Sequence, residues 1–278
     1  MLEAPGPPVT SIRPARDSVL PDVRELWRFH GLAFTFAWRD VKVRYKQSLI
    51  GVLWAVLQPF LTMVVFTIIF GKFANFPSEG LQYTTFVYTG LVPWALFAAT
   101  FTLCSSSVVA NRALVQRVYF PRLILPLSTT LVPLVDFCCS FVVVIGVMTY
   151  YSDAVQWTVI FAPFFLVLLA LAAVGAGSFL SVINVRYRDV VYTIPFVVQL
   201  WLYVSPIIYP VSGLPEKYQE IVYLNPAVLG ITGFRWAVAG TPAPSASQFA
   251  LGITSTLVLF AAGILFFRRS EPKFADTI

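Results

Sequence analysis

The segment NRALVQRVYFPR (Asn111 to Arg122) places Arg112, Arg117 and Arg122 five residues apart between two strongly apolar stretches. Guanidinium and aromatic side chains supply much of the energy of protein interfaces, so this is binding chemistry rather than bond-making chemistry. A loop that transmits force must be stiff, reach out of its bundle, and seat in a groove of another protein. A helix over about Asn111 to Val118 would project the arginines, with Tyr119 and Phe120 as rigid anchors. Pro121 would stop that helix, and Arg122 would mark the start of the next span. The plainer alternative is that the arginines only fix topology, as positive charge does beside membrane spans.

Bond-making chemistry has no visible constellation. The chain has no G-x-x-x-x-G-K-[ST] phosphate loop, because Gly71-Lys72 lacks both the earlier glycine and the following hydroxyl residue. It has no H-E-x-x-H and no metal-spaced Cys/His set, and its one histidine, His30, precedes the first span. The expectation is a chain with no catalytic residue, no metal and no cofactor of its own. Work would then be driven by a partner chain or by a gradient.

The elements that must position the arginines follow from composition. Apolar residues make up 58% of the 278 residues and charged residues 12%, about half the charge of a soluble domain. Runs long enough to cross a bilayer recur at about 49–71, 84–109, 123–149, 157–183, 190–210 and 248–267. All but three of the 19 lysines and arginines (Lys72, Lys217 and Arg235) fall in alternate connections. By the positive-inside rule both termini are expected in the cytoplasm. The net charge of +6 is therefore a topology signal, and no nucleic-acid partner is expected. The first 48 residues lack an apolar core, so the first span is expected to be an anchor and not a cleaved signal. Cys104, Cys138 and Cys139 fall in spans and read as small buried residues. No internal repeat is visible, which weakens an inverted-repeat carrier.

Residues 1–21 are Pro-rich and expected to be disordered. Over 22–48, Val23, Trp27, Phe34, Trp38, Val41 and Tyr45 form an apolar stripe beside Arg24, Arg28, Arg39, Lys42 and Lys46, the pattern of a helix lying in the cytoplasmic interface. Trp27, Trp38, Arg39, Lys42, Arg44 and Lys46 are its candidate lipid or partner contacts. The six-span domain is expected over 49–268 and a cytoplasmic tail over 269–278. Gln58-Pro59 should kink the first span. Thr100, Cys104, Ser107 and Asn111, and Ala173, Gly177 and Ser181, form small-residue faces for helix packing. Asp136, the one acid well inside a span, should be buried and hydrogen-bonded rather than a proton carrier. Between spans five and six, SPIIYP (Ser205 to Pro210) is followed by an apolar stretch broken at Asn225-Pro226. Two short helices in the outer interface are expected there, with Pro206, Pro210, Asn225 and Pro226 forming an external gate or a simple cap.

RYKQSLIGVLWAVLQP (Arg44 to Pro59), NRALVQRVYFPRLILPL (Asn111 to Leu127), NVRYRDV (Asn184 to Val190), and SPIIYP followed by Asn225-Pro226 occur in that order. Together they resemble the membrane subunit of type-2 ABC exporters of cell-surface polysaccharides, the O-antigen, capsule and teichoic acid group. The resemblance implies an all-α polytopic protein of the bacterial inner membrane. It would have six transmembrane helices, an N-terminal interface helix and two short external helices. It implies a homodimer bound to two copies of a separate ABC ATPase subunit, which holds ATP and Mg. The cargo implied is a glycan linked to undecaprenyl diphosphate. It also makes Asn111, Arg112, Arg117, Tyr119, Phe120, Pro121 and Arg122 ATPase-coupling residues, with Arg186, Tyr187, Arg188 and Asp189 as a second, smaller contact. Sugar rings stack their C–H faces on aromatic rings, so Trp54, Phe60, Trp201 and Tyr203 are candidate channel-lining residues. The alternatives are an exporter of a drug or simple lipid, an ion-coupled carrier, and a scaffold without transport.

Overall fold

The computed structural model describes residues 23–46, 52–187 and 189–274. The expectations for 1–21, for Arg188 and for the last residues of the tail lie outside these. Among the described residues the chain is all-helical. Helices α1 (Val23–Arg28) and α2 (His30–Lys46) precede α3 (Val52–Phe66), which continues as a π-helical stretch over Thr67–Phe73. Then follow α4 (Tyr83–Ala110), α5 (Arg112–Arg117), α6 (Ile124–Ser128), α7 (Leu131–Tyr150), α8 (Ala162–Arg186) and α9 (Val190–Val204). The chain closes with α10 (Glu216–Ile221), α11 (Val228–Ala239) and α12 (Ala246–Ser270).

Among the described residues five helices are long and apolar enough to cross a bilayer: Leu53–Phe73, Tyr83–Ala110, Ile124–Tyr150, Trp157–Arg186 and Ala246–Ser270. They coincide with five of the six expected spans. α4 and α8 form the central pair, with α7 and α3 against α4 and α12 against α8. The small-residue faces make this contact: Thr100, Cys104, Ser107, Ala173 and Ser181 are all buried. A Cβ on Gly177 would lie 2.6 Å from Cys104 Cβ, and one on Gly263 would lie 1.9 Å from the Gly175 carbonyl. Backbones this close need glycine at the crossing. α12 begins at a capping box, in which Ser245 Oγ accepts the Gln248 N–H and Gln248 Oε1 accepts the Ser245 N–H.

The fifth expected span, 190–210, is different. Its helix α9 has 15 residues and stops at Val204, about 22 Å at 1.5 Å per residue against a hydrocarbon core of about 30 Å. Ser205 precedes Pro206 and is extended (φ −90°, ψ 144°), as the proline ring requires of the residue before it. The residues that follow, Ser205 to Ile208, are buried and not helical.

The two short helices do flank Asn225-Pro226, bent by 107°, but α11 does not lie on a surface. Most of it is buried, against α4 and α8. It starts deep, where Thr256 Oγ1 donates to the Pro226 carbonyl (3.2 Å), eleven residues into α12 or about 16 Å. It runs back to the end at which α10 sits, where Ser247 at the start of α12 donates to Glu220 (2.7 Å) and the Gln156 N–H donates to the Val238 carbonyl (3.1 Å). α10–α11 is thus a re-entrant unit inside the bundle. Gly233 permits this, since a Cβ there would lie 2.0 Å from the Phe165 ring. Gly240, in the left-handed region (φ 73°), ends α11.

Two further expectations change. Cys138 is exposed on the bundle's flank, unlike buried Cys104. Of the expected apolar stripe, Trp27 on α1 and Phe34 and Trp38 on α2 are exposed, whereas Val41 is buried with its neighbours Phe36 and Ala37.

Candidate functional site

α5 is a short arm between α4 and the span that begins at α6. The Val118 N–H closes it on the Leu114 carbonyl, and Val118 is then extended. Arg112, Arg117 and Tyr119 are exposed, Tyr119 at 66%. Phe120 points the other way: it is buried and meets Phe36 of α2 edge-on, with centroids 5.8 Å apart. Pro121 is buried as well. The aromatic pair read as two outward anchors is therefore one outward residue, Tyr119, and one inward seat, Phe120. An apolar side chain next to a proline-stopped turn gains more by joining the cluster beneath it.

That cluster gathers Phe36, Cys104, Val108, Val115, Leu123 and Phe267, so it joins α2, α4, α5, α6 and α12 at one end of the bundle. Polar contacts rim it. Arg39 Nη2 donates to Asn111 Oδ1 (3.0 Å), and Asn111 Nδ2 donates back to the Ser107 carbonyl (2.8 Å). The interface helix and the arginine loop, read as separate features, are thus bonded to each other. Beyond α12, Glu271 accepts the Arg122 N–H on Oε1 (2.8 Å) and pairs with Arg268 through Oε2 (2.8 Å), while Arg122 Nη1 donates to the Glu271 carbonyl.

Asp136 finds its partners on α2. Arg44 Nη2 lies 2.7 Å from Oδ2 and the Tyr45 hydroxyl donates to Oδ1. Burial, then the Asp136 carboxylate, pushes the Tyr45 hydroxyl above its ordinary pKa, which keeps it a donor. The hydrogen-bonded carboxylate expected from the sequence is there, but its partner is a cation in the interface helix that spacing gave no means to pair with it. Trp27 and Trp38 are exposed, and Lys42 sits 5.8 Å from the Trp38 ring centroid. Lys46 is exposed too. At the end of α8, Arg186, Tyr187 and Asp189 are exposed, with Arg186 over the Tyr187 ring (5.4 Å).

At the opposite end lies the residue sequence reasoning most misread. Arg235, counted as a charge in an external connection, is only 2% exposed. Its Nε donates to the Phe86 carbonyl (3.2 Å), Nη1 to that of Pro206 (3.1 Å) and Nη2 to that of Ile207 (3.2 Å). The guanidinium lies 3.8 Å from the centroid of Phe86, a cation–π distance. Tyr83 donates to the next carbonyl, that of Ile208 (2.8 Å). Buried backbone outside a helix must have its polar groups satisfied, and Arg235 and Tyr83 do this for the segment that follows α9. A lone arginine in an otherwise apolar α11 was the available signal.

Asn225 works alongside them. Its Oδ1 accepts from Trp201 Nε1 (2.8 Å) and the Ala227 N–H (3.2 Å), and its Nδ2 donates to Ser205 Oγ (3.1 Å). Trp201, with Phe97 and Phe101 edge-on to it, is packed into this unit. Phe60 is half-buried against Tyr88, while Trp54 and Tyr203 are exposed. The four candidate lining residues are therefore not brought together on one surface of this chain. Pro210 lines an apolar cleft of about 360 Å³ with Phe76, Pro77 and Tyr209.

Residues 32–239 match the ABC-2 type transporter family. Over 264 residues the chain is 29% identical to the O-antigen export system permease protein RfbA of Myxococcus xanthus, covering 92% of this chain and 98% of that one. An O-antigen export system permease protein RfbA of Klebsiella pneumoniae is 28% identical, with 86% and 92% covered. The polysialic acid transport protein KpsM of Escherichia coli is 23% identical, with 84% and 91% covered. These alignments run through both ends of the bundle and not through one motif.

Proposed function

The chain belongs to the ABC-2 type transporter family, and from that premise we propose that it is the transmembrane subunit of an ATP-driven exporter of a lipid-linked, O-antigen-like polysaccharide. The observation that carries this reading is the pair of O-antigen export permeases that match 86–92% of the chain. ATP is hydrolysed by a separate ABC ATPase, bound in two copies by a homodimer of this chain, and the cargo is a glycan on undecaprenyl diphosphate. The protein resides in the bacterial inner membrane with the α5 end cytoplasmic, an orientation that the positive charge of the alternate connections supports.

The geometry supports this division of labour. α5 carries exposed Arg112, Arg117 and Tyr119 on a backbone that continues directly into two long spans. A push on it cannot be absorbed locally, because Phe120 is seated in a packed cluster and Pro121 beside it is buried. The re-entrant unit closes the outer end and gates it. Export begins when strain delivered at α5 loosens the contacts of Asn225 and of the segment that follows α9.

The test is reconstitution of the chain with its cognate ABC ATPase in proteoliposomes. ATP turnover should rise on adding glycan linked to undecaprenyl diphosphate, and that lipid should change sides in an ATP-dependent manner. Turnover that responds to simple lipids or drugs and ignores the glycan lipid would reassign the cargo. ATP hydrolysis by the isolated chain would contradict the two-subunit arrangement.

A further inference from the structure

The residues that follow α12 as far as Phe274, read from sequence as part of a plain tail, are built into the α5 assembly. After α12 the backbone makes one 3-10 turn over Glu271–Lys273. Phe274, 2% exposed, meets Phe267 edge-on at 5.2 Å and belongs to the cluster that holds Phe120 and Val115. Glu271 then faces the start of the third span. Arg122 lies in the turn just before α6, and its N–H is taken by Glu271 Oε1 (2.8 Å). Oε2 is held by Arg268 (2.8 Å), and Arg122 reaches back to the Glu271 carbonyl. Both ends of this small network are thus tied, one to the arginine loop and one to α12.

We propose that the turn from Ser270 to Phe274 is a latch that transmits movement of α5 to the sixth span, with Glu271 and Phe274 as positioning residues. This rests on the reading of α5 as the ATPase contact. Covalently, α5 is joined only to α4 and to the span starting at α6. α12 packs on α8 and supports the re-entrant unit through Thr256 and Ser255, which donate to the carbonyls of Pro226 and Tyr223 (both 3.2 Å). The latch therefore supplies a route from the arginine loop along α12 to the opposite end that the backbone alone does not provide. Without it, α5 still binds its partner but moves independently of the sixth span.

Two readouts on the full chain test this. In Glu271→Ala and in Phe274→Ala, hydrogen exchange of the peptide over 112–125 should rise about tenfold while that over 83–100 stays unchanged. In the complex with the ATPase, both variants should keep ATP turnover yet move about tenfold less glycan lipid per ATP. Glu271→Gln keeps an acceptor for the Arg122 N–H and should fall between them and wild type; it carries the test if the alanine variant does not accumulate. Unchanged exchange over 112–125 overturns the latch, whatever the cargo. Raised exchange with unchanged transport per ATP overturns its role in transmission. A wild-type complex that moves no glycan lipid counts against the function proposed above and leaves the exchange result standing.

Discussion

At the α5 end, guanidinium groups of Arg44 and Arg268 meet the carboxylates of Asp136 and Glu271, the second pair beside the apolar cluster, and Arg112 and Arg117 remain exposed. At the re-entrant end, Arg235 is enclosed and donates to three backbone carbonyls, and Asn225 bonds Trp201, Ser205 and Ala227. One end presents charge that a water-soluble partner can read. The other satisfies its polar groups internally, as buried backbone outside a helix requires. Substitutions should therefore cost stability at the second end and transport at the first.

The largest stability effect is expected from Arg235→Met. It leaves the carbonyls of Pro206 and Ile207 without that donor, at about 1–3 kcal/mol for each buried group left unsatisfied, while the Phe86 carbonyl keeps the Thr89 hydroxyl. The detergent-solubilised protein should lose its monodisperse size-exclusion peak or unfold at a markedly lower temperature. Asn225→Ala comes next, at about 1–3 kcal/mol, because the Trp201 indole N–H loses its acceptor. Its thermal midpoint should fall by less than that of Arg235→Met. Asp136→Asn should cost about 1 kcal/mol or less, since the Arg44 side chain is 42% exposed and solvent screens such pairs. Smallest in stability is Arg117→Glu, within about 0.5 kcal/mol, although binding of the ATPase should weaken by about 2 kcal/mol if Arg117 anchors the interface. An Arg235→Met protein as stable as wild type would break the comparison at one end. An Arg117→Glu protein with undiminished ATPase binding would break it at the other.

Local pattern made the spans legible, because about 20 apolar residues between charged connections have few other solutions. The α5 arm was equally legible from Pro121 and the arginine spacing. The inward turn of Phe120 was not, because an aromatic beside arginines has the same spacing whether it faces a partner or a core. α9 looked longer than it is because Pro206-Ile-Ile-Tyr-Pro is apolar enough to continue a span, and only the proline rule marks its stop. Arg235 was misplaced for a related reason: in a string of residues it is a charge between spans, and only the fold brings it to Phe86 and Pro206, far away in sequence. Glu271 with Arg122 and Asp136 with Arg44 are likewise long-range pairs, which periodicity within a helix cannot reveal.

The contrast between the two ends is tested most directly by cysteine chemistry on the full chain in cells that express its ABC ATPase, in a background with Cys104, Cys138 and Cys139 replaced. Arg117→Cys on α5 and Tyr218→Cys on α10 are compared for labelling by a membrane-impermeant thiol reagent and for cross-linking to the ATPase. The account predicts that the cysteine at 117 cross-links to the ATPase and is labelled only after permeabilisation, while the one at 218 is labelled from outside and does not cross-link. External labelling at 117, or ATPase cross-linking at 218, would contradict it.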